Sequence, residues 1–162
     1  MSSWFRSYSP ARADCGVMVV RLGVALIILM HPLHGFFHAE NMPRFGAYLS
    51  ALGYPLGEPL AWTVILVQAL CSLALLCNRL VVLACLGHMT IILAGIVHVH
   101  YPNGWYVVGP GTGGMEWGFI LLVCLTAVLS AYWPRIGHVL AAYRRHRSVS
   151  RPIMNQLNIS GL

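Results

Sequence analysis

His98, His100 and Glu116 bracket a stretch, residues 98–117, that is rich in glycine, uncharged between its ends and stocked with Tyr101, Trp105, Tyr106 and Trp117. Imidazole exchanges protons near neutral pH and is the commonest protein ligand for metals. A carboxylate beside it extends the same proton chemistry. A second histidine group, His31, His34 and His38, is spaced three and four residues apart, which stacks the rings on one helix face. Pro32 lies among them and removes a helix hydrogen bond there, freeing a backbone carbonyl. His98 and His100 are two apart, so a regular helix points them to nearly opposite sides. Only local unwinding would aim both at one site.

These groups are set in an unusual background. Of the 162 residues, 58% are hydrophobic and 9% charged, against roughly 25% charged in soluble domains. The mean hydropathy is +0.72. A soluble core cannot absorb that much apolar surface, so lipid is the solvent. Ionisable groups at membrane depth are costly, and a functional role is their default explanation. The net charge of +6 comes from arginine alone. The arginines cluster at the chain ends, which speaks for membrane orientation and against nucleic-acid binding. Five cysteines form no C-x-x-C pair, and four lie in apolar runs, as small buried residues do.

The elements that must position the histidines follow from the apolar runs. The expected fold is all-α, one integral membrane four-helix bundle over residues 1–162. Its spans are residues 16–38, 59–77, 80–100 and 115–133, each long enough at ~1.5 Å per residue to cross ~30 Å of hydrocarbon. No short apolar segment with a cleavage-like site precedes them, so residues 1–15 read as a cytoplasmic lead-in and not a removable leader. Arg21 sits inside the first span, either snorkelling to the near interface or held in a buried pairing. Residues 45–52 are amphipathic and predict a short interfacial helix, ended at Gly53-Tyr54-Pro55. Gln68 is the strongly polar residue of the second span and His88 lies near the middle of the third. Asn78-Arg79 permits only a tight antiparallel turn. Glu116 opens the fourth span, where the helix dipole favours a carboxylate. The tail, residues 134–162, is basic, and its segment 136–143 is amphipathic and suited to an anionic lipid surface.

Orientation follows from the same arginines. The two ends and the Asn78-Arg79 turn hold nine of the ten if Arg21 is counted with its near interface. Both termini are therefore expected in the cytoplasm of a bacterium, with the chain multi-pass in the inner membrane. His31, His34, His38, Glu40, Glu58, His98, His100 and Glu116 then share the outward half of the bundle.

Several of these segments resemble the DoxX family of small four-span membrane proteins, over nearly the whole chain. Arg21-Leu22-Gly23 with His31 resembles its R-L-G…H-G pattern. Phe45-Gly-Ala-Tyr-Leu49 and Ala51-Leu-Gly-Tyr-Pro55 are similar to its F-x-x-Y-L-x-x-L-G-x-P loop. His100-Tyr-Pro-Asn-Gly-Trp105 and Gly113-Gly-Met-Glu116 resemble its H-x-x-N-G-F…G-G-x-E-[YW] signature. The chain departs from the pattern at Pro32, where Gly is usual, and at His34, commonly Gln. Gln68 replaces a frequent carboxylate. The resemblance implies a four-helix bundle linked with redox systems, the family's name coming from a subunit associated with thiosulfate–quinone oxidoreduction.

Three readings of the site follow. The first is a redox-linked subunit with a quinone near the outer leaflet, its binding residues His31, His34, His100, Asn103, Trp105, Glu116 and Trp117. A quinone needs flat apolar walls and proton-exchanging groups at its carbonyls. His31, His100 and Glu116 are expected to converge below the Asn103-Gly104 turn. The chain has no flavin fingerprint, haem attachment motif or Fe–S cysteine pattern, so electrons would come from partner subunits of a membrane oxidoreductase complex. The second is a non-catalytic anchor or assembly subunit for such a partner. The third is a metal or haem site built from His31, His34, His38 and His98. No catalytic residue is assigned.

Overall fold

In the computed structural model, which describes residues 10–133, every regular element is helical. Helix α1 covers Pro10–Phe37, with proline at its first position, where the missing N–H has no partner to lose. A 3-10 turn, Ala39–Asn41, leads into α2, Met42–Ala51. Helix α3 spans Gly57–Leu76 and α4 spans Val81–Gly95. The chain then widens into a π-helical stretch, Ile96–His100, and tightens into a 3-10 turn, Tyr101–Asn103. After a long loop comes α5, Glu116–Tyr132.

Three helical segments, Ala11–Phe37, Gly57–Leu76 and Val81–Asn103, are long and apolar enough to cross a membrane, and α5 is a shorter apolar helix of 17 residues. At ~1.5 Å per residue α5 rises about 25 Å. Large apolar side chains cover the outer surface of the bundle, among them Met30, Leu66, Leu83, Leu93 and Ile120. Packed in the order α1–α3–α4–α5, with α5 closing back on α1, these helices form an all-α membrane bundle. Helix α1 starts at Pro10, ahead of the expected span, α2 starts at Met42 where the sequence suggests residue 45, and α4 ends at Gly95, its expected remainder being the π-helical stretch. The N-terminal lead-in up to residue 9 and the basic tail, including its expected helix at 136–143, lie outside the described residues.

Both helix hairpins end on identifiable chemistry. After α3, Asn78 turns left-handed (φ +55°), the Arg79 amide donates to the Ala74 carbonyl at 2.9 Å and the Asn78 amide to the Leu75 carbonyl at 3.2 Å. This is a Schellman closure with asparagine in the place glycine usually takes. Helix α2 closes the same way, with Gly53 at φ +90° and the Tyr54 amide bonded to the Leu49 carbonyl at 3.1 Å. It then folds back on the start of α3. A Cβ on Gly46 would lie 2.5 Å from the Glu58 Cα, so only glycine permits this approach.

Packing is uneven along the bundle. Buried residues run the length of α1 (Arg21, Val24, Ala25, Ile28, Pro32, Gly35) and of α3 (Gly57 to Leu75). On α4 they stop at His88, and on α5 they are Leu125 and Val128. The hydrophobic core therefore sits at the end that carries the 77–80 turn. At the end that carries the loops, α4 and α5 have no fully buried residue, although they touch where Gly118 lies against Ile96, a Cβ there standing 2.7 Å from the Ile96 Cγ1.

Arg21 and His88 are both turned inward. Arg21 is 6% exposed; its Nη1 donates to the Leu75 carbonyl and its guanidinium carbon stands 6.0 Å from the Tyr132 ring centre. The buried pairing, and not snorkelling, is what this arginine does. His88 is fully buried, with Nε2 3.3 Å from Ser72 Oγ. Its Nδ1 has no partner among the described residues.

Candidate functional site

The loop end is built from the π-helical stretch, α2 and the long loop. Widening at Ile96–His100 does not turn His98 and His100 to one place. His98 faces α2 and the chain just after it: Tyr48 Oη donates to the His98 carbonyl at 2.9 Å, and Tyr54 Oη lies 2.9 Å from His98 Nε2. The Tyr54 and His98 rings meet edge to face at 5.6 Å. His100 faces the other way, its Nδ1 2.8 Å from the Gly113 carbonyl oxygen.

The loop itself is a latch. The Gly114 amide donates to the Tyr106 carbonyl at 3.0 Å, the Met115 amide to the Gly104 carbonyl and the Glu116 amide to the Trp105 carbonyl, both at 3.1 Å. These bonds lay residues 114–116 against 104–106. Gly114 is buried there, and a Cβ would stand 2.5 Å from the Trp105 carbonyl carbon. Glu116 ties the latch from its other side, since its Oε2 accepts the Val107 amide at 3.1 Å. The carboxylate thus serves the loop more than the dipole of its own helix. Asn103 Nδ2 donates to the Val99 carbonyl at 3.0 Å, closing the 3-10 turn.

The remaining candidates lie around this latch. His100 and Glu116 are joined through the loop they brace, and no hydrogen bond among the described residues links His31 to either. His31 and His34 are exposed on α1. His34 stacks on His38 with ring centres 4.2 Å apart, and His38 Nδ1 lies 3.1 Å from the His34 carbonyl oxygen. Trp105 packs on Phe119 at 5.4 Å while staying 45% exposed, and Trp117 is exposed. Among the described residues no three His, Cys, Asp or Glu side chains are placed to hold a metal ion.

Sequence reasoning did not assign roles to Tyr48, Tyr54 or Ser72. The tyrosines were visible as part of the motif at residues 45–55, but that pattern does not say which histidine they meet across the fold. Ser72 stands sixteen residues before His88, a separation that only the α3–α4 hairpin converts into contact.

Neither a curated protein nor a solved structure matches the chain. A sequence model of the DoxX family does match it, over residues 16–101. That region is more than half of the chain and takes in α1, the α2 clamp, the α3–α4 hairpin and the π-helical stretch with its two histidines. With the helical membrane bundle on which those residues are displayed, the match establishes that the chain belongs to the DoxX family.

Proposed function

We propose that this DoxX protein is a membrane subunit of a redox or respiratory assembly in the bacterial inner membrane, with both termini cytoplasmic. In this reading its loop end seats a partner oxidoreductase subunit, as a non-catalytic anchor or scaffold. The latch carries the proposal. His98, His100 and Glu116 are bonded to tyrosines and backbone atoms, so they hold a shape. Tyr101, Trp105, Tyr106, Val108 and Trp117 meanwhile remain exposed on it. Aromatic rings on a rigid frame are what protein interfaces favour.

A quinone-proximal site near the outer leaflet is the second reading, supported by the exposure of His31, His34, Trp105 and Trp117 at the loop end. There His31, His34 and His100 would exchange protons with the head group. Asn103 would add a polar contact, and Trp105 and Trp117 would flank the ring. Glu116 distinguishes the two readings. A glutamine side chain in its place can still accept the Val107 amide, whereas alanine cannot. The anchor reading expects Glu116→Ala to lose co-purifying subunits and Glu116→Gln to keep both subunits and turnover. The quinone reading expects Glu116→Gln to lower quinone-dependent turnover in an intact complex. Purification from native membranes with mass spectrometry of the bound proteins, together with a quinone-reduction assay, reads both. A complex whose composition and turnover survive both replacements would remove either role.

A further inference from the structure

Arg21 carries a charge that no Asp or Glu among the described residues meets. A guanidinium stays protonated at any relevant pH, and buried charges are normally paired. The chain contains four Asp and Glu residues. Glu40, Glu58 and Glu116 belong to the loop end, while Asp14 is exposed on α1, about two turns before Arg21. The residues outside 10–133 contain no Asp or Glu. Within the bundle Arg21 Nη1 donates to the Leu75 carbonyl in the last turn of α3, where the helix dipole favours a cation. That bond leaves the opposite edge of the guanidinium, Nε and Nη2. Nε is buried without a hydrogen-bond partner among the described residues.

The depth of this edge is fixed by its neighbours. Leu75 is one residue from the end of α3, and Tyr132 is the last residue of α5. Arg21 therefore sits level with the 77–80 turn, at the membrane boundary and not within the hydrocarbon. Phospholipid phosphates lie at that boundary. Beside it runs a surface groove of about 310 Å³ lined by Asn78, Leu80, Val81, Val82, Leu83 and Tyr132. Tyr132 belongs to both, lining the groove and facing the guanidinium.

We propose that Arg21 is the anion-holding residue of a site for one anionic phospholipid. The Nε–Nη2 edge presents two parallel donors, the fork that matches two phosphate oxygens. The groove takes the upper part of an acyl chain, and Tyr132 is the side chain that turns aside to admit the phosphate. This site is at the opposite end of the bundle from the latch and is independent of the function proposed there.

The test uses the full chain purified in a phosphate-free detergent, with phosphatidylglycerol, diacylglycerol and inorganic phosphate as probes. Native mass spectrometry counts retained lipid, and thermal unfolding reads protection. Phosphatidylglycerol is expected to bind at least about tenfold more tightly than diacylglycerol, and Arg21→Gln to erase that preference. Protection by inorganic phosphate without a preference for phosphatidylglycerol over diacylglycerol would overturn the phospholipid site and identify a free anion as the occupant. If Arg21→Gln does not fold, Leu83→Trp fills the groove and leaves the arginine intact. Loss of phosphatidylglycerol from that variant supports the site, and unchanged retention refutes it. Equal binding of phosphatidylglycerol by folded Arg21→Gln and the unaltered protein, or no preference over diacylglycerol, overturns the proposal.

Discussion

At the scale of single residues, His88 and Ser72 show how a polar group persists in an apolar bundle. Their one bond, at 3.3 Å, satisfies Nε2 and leaves Nδ1 unpaired among the described residues. Removing one partner of a buried pair costs more than removing both. Ser72→Ala alone leaves both ring nitrogens unpaired and should destabilise by about 1–3 kcal/mol. His88→Phe alone should cost less, because the Ser72 hydroxyl can turn to the backbone carbonyl one helical turn earlier. The double replacement should fall near the unaltered protein in thermal unfolding in detergent. A double variant as unstable as Ser72→Ala would show that the pair does more than satisfy itself. For Arg21 the sequence leaves snorkelling and a buried pairing both open, whereas the inward position of His88 was legible, because a polar residue in mid-span has few alternatives to the bundle interior. Their partners were not. Ser72 and the Leu75 carbonyl are ordinary groups, selected by the helix rotation that the α3–α4 hairpin imposes.

At the scale of elements, the lengths of the apolar runs and the turn chemistry at Asn78 and Gly53 were enough to place the helices. The loop between α4 and α5 was harder to foresee. Its glycines announced a turn at Asn103-Gly104, but the pairing of 104–106 with 114–116 rests on backbone atoms, which have no side-chain signature. The candidate site was therefore half legible. His100 and Glu116 stood out as loop-end residues, while the groups they meet, the Gly113 carbonyl and the Val107 amide, could come from any residue type. His98 reads from the sequence as a proton-exchanging or metal-binding group, and the tyrosines that hold it lie 50 and 44 residues away in sequence. Gly114 is the residue on which the latch turns, since a side chain there meets the Trp105 backbone. Gly114→Ala should open the latch and leave the helices in place. Limited proteolysis of the protein in detergent should then cut within residues 104–115 faster, with helical content by circular dichroism unchanged. Cleavage at the unaltered rate would mean the loop is held by something other than this close contact.

At the scale of the molecule, the arginine bias and the helix order make a single topological statement. The α1 start, the 77–80 turn and the α5 end share one face, and the latch belongs to the other. A cysteine placed at Thr112 in a variant lacking the five native thiols should react with an impermeant reagent in intact spheroplasts. Reaction only after lysis would reverse the orientation and move the proposed partner to the cytoplasmic side. The uneven burial has a further meaning for tolerance to change. At the end where Arg21 bonds the last turn of α3 and His88, Leu125 and Val128 are buried, a replacement must keep size and shape. Exposed apolar residues nearer the loop end, such as Leu93 and Val97, can exchange for other apolar residues at little cost.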